Sequence, residues 1–222
     1  TSLSDYRPVS ILTIYNKIIE KIIHKEIYNF VFNEAHIMYE KQYGFRKKCG
    51  TETAVMELVN AIRTEMDSRK KVSAVSMDIR KAFDLVNTER LLHALNLAGI
   101  RGKMLNVIKS YLTNRKQKVR IKSTMSSAID IKYGVVQGGV LGSLLFVIFF
   151  NFISKLPTHG KFYLFADDAI LVNSHESKEN IEGKISHDMK LIKKFLDEQH
   201  LFLNEDKTNC IIFHNPQMKI DR

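Results

Sequence analysis

The sequence is poor in the residues that mark several protein classes. It holds only two cysteines, Cys49 and Cys210. They are far apart and sit in no metal-ligand spacing, so neither a disulfide framework nor a zinc site is expected. A reducing intracellular compartment, nuclear or cytoplasmic, is the default. Only three prolines and no low-complexity tract argue against disorder. There is no internal repeat. The opening "TSLSDYRPVS" is no signal peptide and lacks an initiator Met, so the chain is expected to be a fragment of something longer. The most apolar run, Val140 to Ile153, is too short to span a bilayer comfortably and contains Gly142, Ser143 and Asn151; it reads as a buried helix.

What is present is a chain of 222 residues, 45% of them hydrophobic, enough for one domain or two closely packed lobes. The formal net charge is +10, from 34 Lys+Arg against 24 Asp+Glu. Such an excess favours polyanions, nucleic acid before anionic membrane, although many soluble proteins are basic.

The first third reads as helical. Tyr15, Ile18, Ile19, Ile22, Ile23, Ile27 and Phe30 recur at helical spacing, as do Val55, Leu58, Val59, Ile62 and Met66. A basic loop with Gly44 and Gly50 lies between them. Near residue 70 the pattern changes. "KVSAVSMDI" (71 to 79) is a short β-prone run. A helix follows, with Asn87 or Thr88 as N-cap and Gly99 as its stop, then a second from Lys103 to Leu112. "RKQKVRIKS" (115 to 123) alternates around Val119 and Ile121 and predicts a half-exposed basic strand. Another strand precedes Gly134, and the apolar helix runs from about 140 to 155. Ile181, Ile185, Met189, Ile192 and Leu196 stripe a long charged helix, and two short strands, 201 to 204 and 208 to 213, close the chain. Together these predict an α+β fold, with a helical lobe over 1–70 and a sheet lobe over 71–222.

One segment resists that plain reading. "YLFADDAILV" (163 to 172) is apolar and strand-forming, yet carries Asp167 and Asp168 in its middle. Burying adjacent unpaired carboxylates is costly. On one continuous strand they would point to opposite faces. A turn over Ala166 to Ala169 puts both at the tip of a hairpin. There they are either a solvated acidic turn or, with a cation between them, a site of hard oxygen ligands for Mg²⁺ or Mn²⁺. Asp78 closes another apolar strand, where an acid is either a helix cap or a site residue. If the two strands are neighbours, three carboxylates converge, the arrangement used for two-metal phosphoryl transfer.

Six motifs in order then carry a resemblance. "DYRPVSILTIYNKIIEKII", "KQYGFRKKCGTETAV", "MDIRKAFDLVN", "GVVQGGVLGSLLF", "FADD" and "LFLNEDKTNCIIF" resemble two fingers motifs and the palm motifs A, B, C and D of the reverse transcriptase domain of non-LTR (LINE-like) retrotransposons, most closely the Jockey and CR1-type elements. The resemblance covers nearly the whole chain. It implies a right-hand polymerase fingers and palm, the palm an antiparallel sheet with helices on one face, some fingers elements interleaved, and the thumb and endonuclease absent. It implies an RNA-directed DNA polymerase using two Mg²⁺ or Mn²⁺ ions, an RNA template, a DNA primer and dNTPs, with no membrane partner.

Residue by residue, Asp78, Asp167 and Asp168 match the metal-binding acids. Phe83 matches the aromatic sugar gate; by itself it reads as a core Phe. Gln137 and Gly138 match the loop at the nascent base pair, or form a plain turn before a buried helix. Lys207 matches a lysine that serves as proton donor or partner of the leaving pyrophosphate, or is a solvated turn lysine. Arg7 is expected at the triphosphate and Arg46 at triphosphate or template, a surface or capping role being the alternative for each. The basic stretch from Arg115 to Lys122 is expected at the nucleic-acid backbone. Three positions depart from the family pattern: Val136 and Ser143 stand for prolines and Gly139 for a serine. A floppier loop is expected there. A decayed, inactive copy that only binds nucleic acid and a metal-dependent nuclease are the competing readings.

Overall fold

A computed structural model of the chain describes residues 9–214. These divide into two compact units, each discontinuous in sequence. One comprises the residues up to 37 together with 81–149, the other 38–80 together with those from 150 onward.

The second unit is built on an antiparallel sheet. Its strands are β1 (Lys71–Met77), β6 (Lys161–Phe165), β7 (Asp168–His175) and β8 (Asn209–Phe213), in the order β6-β7-β1-β8. β1 therefore has a neighbour on each side, pairing Lys71 with His175 through Met77 with Ala169, and Val72 with Phe213 through Ser76 with Asn209. Helix α2 (Thr51–Asp67) covers one face. Its Leu58, Ala61, Ile62 and Met66 pack with Tyr43, Val72, Tyr163 and Val172. Ser73, Val75 and Met77 alternate with these on β1 and are buried too. The sheet is thus covered on both sides, an addition to the one-sided cover expected from the sequence. Helix α7 (Lys178–Glu198) also packs on β1 and β7. Its Ile181, Ile192 and Leu196 are buried, as the helical stripe predicts.

The first unit is mainly helical. It holds α1 (Ile14–Tyr28), α3 (Ala82–Leu85), α4 (Thr88–Leu97), α5 (Gly102–Leu112) and most of α6 (Val140–Phe150). Asn87 caps α4 by accepting from the amides of Glu89 and Arg90 at 2.9 and 3.1 Å. Gly99 ends it with a φ of +83°, which a side chain would disfavour. On α6, Leu141 and Leu144 to Phe150 are all buried, so that helix has no solvent face over its last two turns. α1 follows its apolar spacing but does not bury all of it. Ile23 and Ile27 are buried, whereas Tyr15, Ile18, Ile19 and Ile22 are exposed.

Two expectations are corrected. The basic run 115 to 123 is not one strand. It splits into β2 (Arg115–Gln117), paired with β5 (Ile129–Ile131), and β3 (Arg120–Ile121), paired with β4 (Thr124–Met125). Val119 and Ile121 are 49% and 68% exposed, so no buried face holds the run straight. The terminal strand pair also does not form. Only β8 is a strand there; Leu203 makes a single antiparallel bridge to Ile79, and Glu205–Lys207 is a 3₁₀ turn.

Candidate active site

The hairpin of β6 and β7 turns more tightly than the sequence suggested. Phe165 pairs with Asp168, leaving a two-residue loop of Ala166 and Asp167. Ala166 has a φ of +58°, the left-handed region at the first loop position that normally selects glycine. A non-glycine residue held there stores about 1–3 kcal/mol of backbone strain. Asp167 sits in the loop, half-buried, and Asp168 opens β7, exposed.

Asp78 reaches the same end of the sheet through β1. The last β1–β7 pair is Met77 with Ala169, so one further step along both strands brings Asp78 level with Asp168. At that point the ladder changes partner. The chain after Met77 bonds to residues 202–204: the Asn204 amide donates to the Asp78 carbonyl at 2.8 Å, and the Arg80 amide to the Phe202 carbonyl at 2.9 Å. The side chains repeat the link, Asn204 Nδ2 donating to Asp78 Oδ2 at 2.8 Å. The carboxylate of Asp78, itself half-buried, is therefore oriented before any ligand arrives.

The structure gathers these three acids in one unit. They lie at one end of two adjacent strands and none is fully buried, although their carboxylate oxygens do not all lie within 4.8 Å of one another. Lys207 ends the 3₁₀ turn that follows Asn204 and is exposed. Arg46, in the same unit, donates from Nη1 to the Glu40 carbonyl at 2.8 Å, which anchors its guanidinium to its own loop. Arg7 lies outside the described residues.

The other expected residues belong to the helical unit. Phe83 is on α3, half-buried, its ring stacked on Phe146 with centroids 4.3 Å apart. The loop of Gln137 and Gly138 is tied to that helix. Gln137 Nε2 donates to Asp84 Oδ1 at 2.7 Å, and the Val135 amide donates to the Phe83 carbonyl at 2.9 Å. On its other side the Ser10 amide donates to the Gln137 carbonyl at 2.9 Å. The loop expected to be floppy is thus held by hydrogen bonds at several points. The Gly139 departure has a steric reason. A Cβ there would lie 2.5 Å from a carboxylate oxygen of Glu20. Glu20 is buried and accepts from the Tyr111 hydroxyl at 2.6 Å. Burial and this carboxylate together push the Tyr111 phenol well above its ordinary pKa, so it stays a donor. A groove of about 1160 Å³ in this unit is lined by Arg115, Lys116, Lys118, Arg120 and Lys122 beside Gln137. The basic run thus faces a cavity although it is not one strand.

Two residues that the sequence did not single out stand at the acids. Asn204 lies in the stretch similar to motif D, and only its pairing with Asp78 gives it a role. Gln42 contacts the hairpin loop, and no periodicity could connect it to a residue 124 positions away.

Comparison with known proteins agrees with the motif order. The reverse transcriptase (RNA-dependent DNA polymerase) family matches residues 1–219. A probable RNA-directed DNA polymerase from transposon BS of Drosophila melanogaster is 30% identical over 193 residues, covering 82% of this chain and 21% of that protein. The RNA-directed DNA polymerase from mobile element jockey of the same species is 25% identical over 225 residues, covering 97% and 24%. The chain thus spans roughly a fifth to a quarter of the length of these relatives. Among solved structures, telomerase from Candida albicans with a fragment of telomeric RNA superposes with a TM-score of 0.62 at 17% identity, over 93% of this chain and 36% of that one. That likeness bears on fold alone, and the fold is a polymerase fingers and palm, as the motifs implied. The ordered motifs, the antiparallel sheet with acids at one end, and the match over nearly its whole length agree: the chain belongs to the reverse transcriptase (RNA-dependent DNA polymerase) family.

Proposed function

We propose that this chain is the nucleotide-adding core of a non-LTR retrotransposon reverse transcriptase. It would extend a DNA primer on an RNA template by transferring dNTPs to the 3′-hydroxyl. The observation that supports this most directly is the β1–β7 register, which carries Asp78 to the loop of Asp167 and Asp168. Asp78, Asp167 and Asp168 would hold two Mg²⁺ or Mn²⁺ ions. When bound, such ions supply Lewis acidity for the primer hydroxyl and charge neutralisation for the triphosphate.

The chain's own residues do the rest. Asn204 fixes the rotamer of Asp78, so its carboxylate need not reorganise. Phe83 would lie under the sugar and reject a 2′-hydroxyl, and its stack on Phe146 keeps the ring in one orientation. Gln137 and Gly138 would face the nascent base pair from a loop tied to α3. Lys207 would donate a proton to the leaving pyrophosphate, for which its exposed position leaves access. Arg46 would contact triphosphate or template, and Arg7 triphosphate. The groove around Arg115 to Lys122 would take the nucleic-acid backbone, giving salt-dependent binding. On this reading residues 1–70 act as fingers and 71–222 as palm, with some fingers elements interleaved. No helix among the described residues is long and apolar enough to cross a membrane.

The test is primer extension by the purified protein on an RNA template with Mg²⁺ or Mn²⁺. Elongation that requires dNTPs and is lost in Asp167→Asn is expected. Elongation that survives Asp167→Asn would reject the site. Degradation of the template without elongation would assign the same acids to a nuclease.

A further inference from the structure

The acid-bearing loop is held from outside the hairpin. β6 is the edge strand of the sheet, and the segment 41–43 runs beside it. The Leu164 amide donates to the Lys41 carbonyl at 2.8 Å, the Tyr43 amide donates to the Leu164 carbonyl at 2.9 Å, and Gln42 and Leu164 form a parallel bridge. From this segment the Gln42 side chain, 0% exposed, reaches the loop. Its Oε1 accepts from the Ala166 amide at 3.1 Å and from the Gly44 amide at 2.9 Å. Both neighbours are donors, so the amide orientation is settled: oxygen must face them. Nε2 has no hydrogen-bond partner among the described residues, a cost that an apolar side chain of the same length would avoid. Gly44 completes the contact by its lack of a side chain. A Cβ there would lie 2.3 Å from the Ala166 nitrogen and 3.0 Å from its Cα.

We propose that Gln42 and Gly44 are positioning residues for the catalytic loop, setting the Phe165–Ala166 peptide and through it the direction of the Asp167 carboxylate. This rests on the polymerase reading of the three acids. The physical need is plain. Ala166 is held at a φ that a non-glycine residue leaves readily, and Asp167 is the next residue. A two-residue loop with no outside anchor could relax by flipping that peptide. Gln42 opposes the flip, because flipping would bury the Ala166 amide without an acceptor. Gly44 lets the two backbones approach closely enough for the bond.

The test uses Gln42→Met, which keeps length and removes the acceptor, beside Val72→Ala. Val72 is buried on β1 opposite Ser174, towards the far end of that ladder, and shares a core cluster with Tyr43, so its truncation loosens the packing behind the 41–43 segment while leaving the Gln42 hydrogen bonds to the loop in place. Amide exchange is measured first. In the wild-type protein the Ala166 amide is expected to exchange as slowly as the β6 strand amides. In Gln42→Met it should exchange at least about tenfold faster, with β1 and β7 amides unchanged. In primer extension, kcat should fall about 100-fold and half-saturating Mg²⁺ should rise, with dNTP KM within about threefold of wild type. Val72→Ala should retain wild-type kcat and Mg²⁺ dependence. Unchanged Ala166 exchange in Gln42→Met, or a kcat loss matched by Val72→Ala, overturns the proposal. Should Gln42→Met fail to fold, a wild-type Ala166 amide exchanging like an exposed loop amide overturns it, and a protected one sustains it. A wild-type protein that never elongates primer refutes the polymerase reading, while the exchange result still decides whether Gln42 holds the loop.

Discussion

Replacing Asn204 tests whether Asp78 is merely near the other acids or is actively aimed. The Asn204 side chain gives Asp78 one charge-assisted hydrogen bond at 2.8 Å, while its backbone amide gives the Asp78 carbonyl another. Asn204→Ala removes the first and keeps the second. Hydrogen bonds to charged groups contribute about 1.5–3 kcal/mol, and half-burial of Asp78 favours the lower end. About 1.4 kcal/mol is tenfold in rate, so a loss of roughly tenfold or somewhat more in primer extension is expected. The same energy lowers Tm by only about 3–6 °C in a chain of this size. Asn204→Asp is the sharper variant. It keeps the shape but replaces the donor with a second negative charge. Two like charges about 4 Å apart repel by about 4 kcal/mol at an effective dielectric near 20. Asn204→Asp should therefore be the worse enzyme of the two, although it is the closer isostere. Single-turnover dNTP incorporation against Mg²⁺ concentration, with melting curves on the same samples, measures both effects. If Asn204→Asp outperforms Asn204→Ala, packing and not orientation explains the residue, and the reasoning fails.

Asp188, buried on α7, accepts from the amides of His159 at 2.9 Å and Gly160 at 3.0 Å and so holds the turn that leads into β6. Asp188→Ala strands both amides, a loss of roughly 2–5 kcal/mol measurable by denaturant unfolding. Burial alone would raise its carboxyl, but hydrogen bonds from His159, Gly160 and His187 outweigh that and hold the pKa below the ordinary value of 3.8. A depressed folded pKa stabilises above the unfolded value, so this contribution should be complete above about pH 5 and lost as pH falls through the folded pKa, closing the gap between wild type and Asp188→Ala. Phe83→Ala should admit ribonucleotides more readily in competition assays and, by breaking the stack on Phe146, cost about 1–3 kcal/mol of stability; unchanged sugar discrimination would remove Phe83 from the site.

Much of this was legible locally. A run of apolar residues interrupted by Asp167 and Asp168 cannot be an ordinary buried strand, and the hairpin is how the chain resolves the conflict. Asn87 and Gly99 bound α4 because capping is a property of a few neighbouring residues. What failed was inference from alternation to burial. Val119 and Ile121 alternate with basic residues, yet they stay 49% and 68% exposed, because a period of two says which residues share a face and not whether that face meets a partner. The same limit applies to α1, where helical spacing was right while Ile18, Ile19 and Ile22 stayed exposed. Asn204 and Gln42 were invisible for another reason: each acts on a residue more than 120 positions away, and polar side chains leave no periodic trace of such a partner.

β1 is flanked on both edges, and that has a consequence for how its length can vary. Deleting one residue between Lys71 and Met77 cannot be absorbed at an open edge, since the strand must stay in step with β7 and β8 at once. Every side chain beyond the deletion would swap faces, and Asp78 would arrive out of phase with Asp168. The count of residues in this strand is therefore as restrictive as their identity: substitutions along Lys71–Met77 can be graded in effect, whereas a frame shift of a single position is all or nothing.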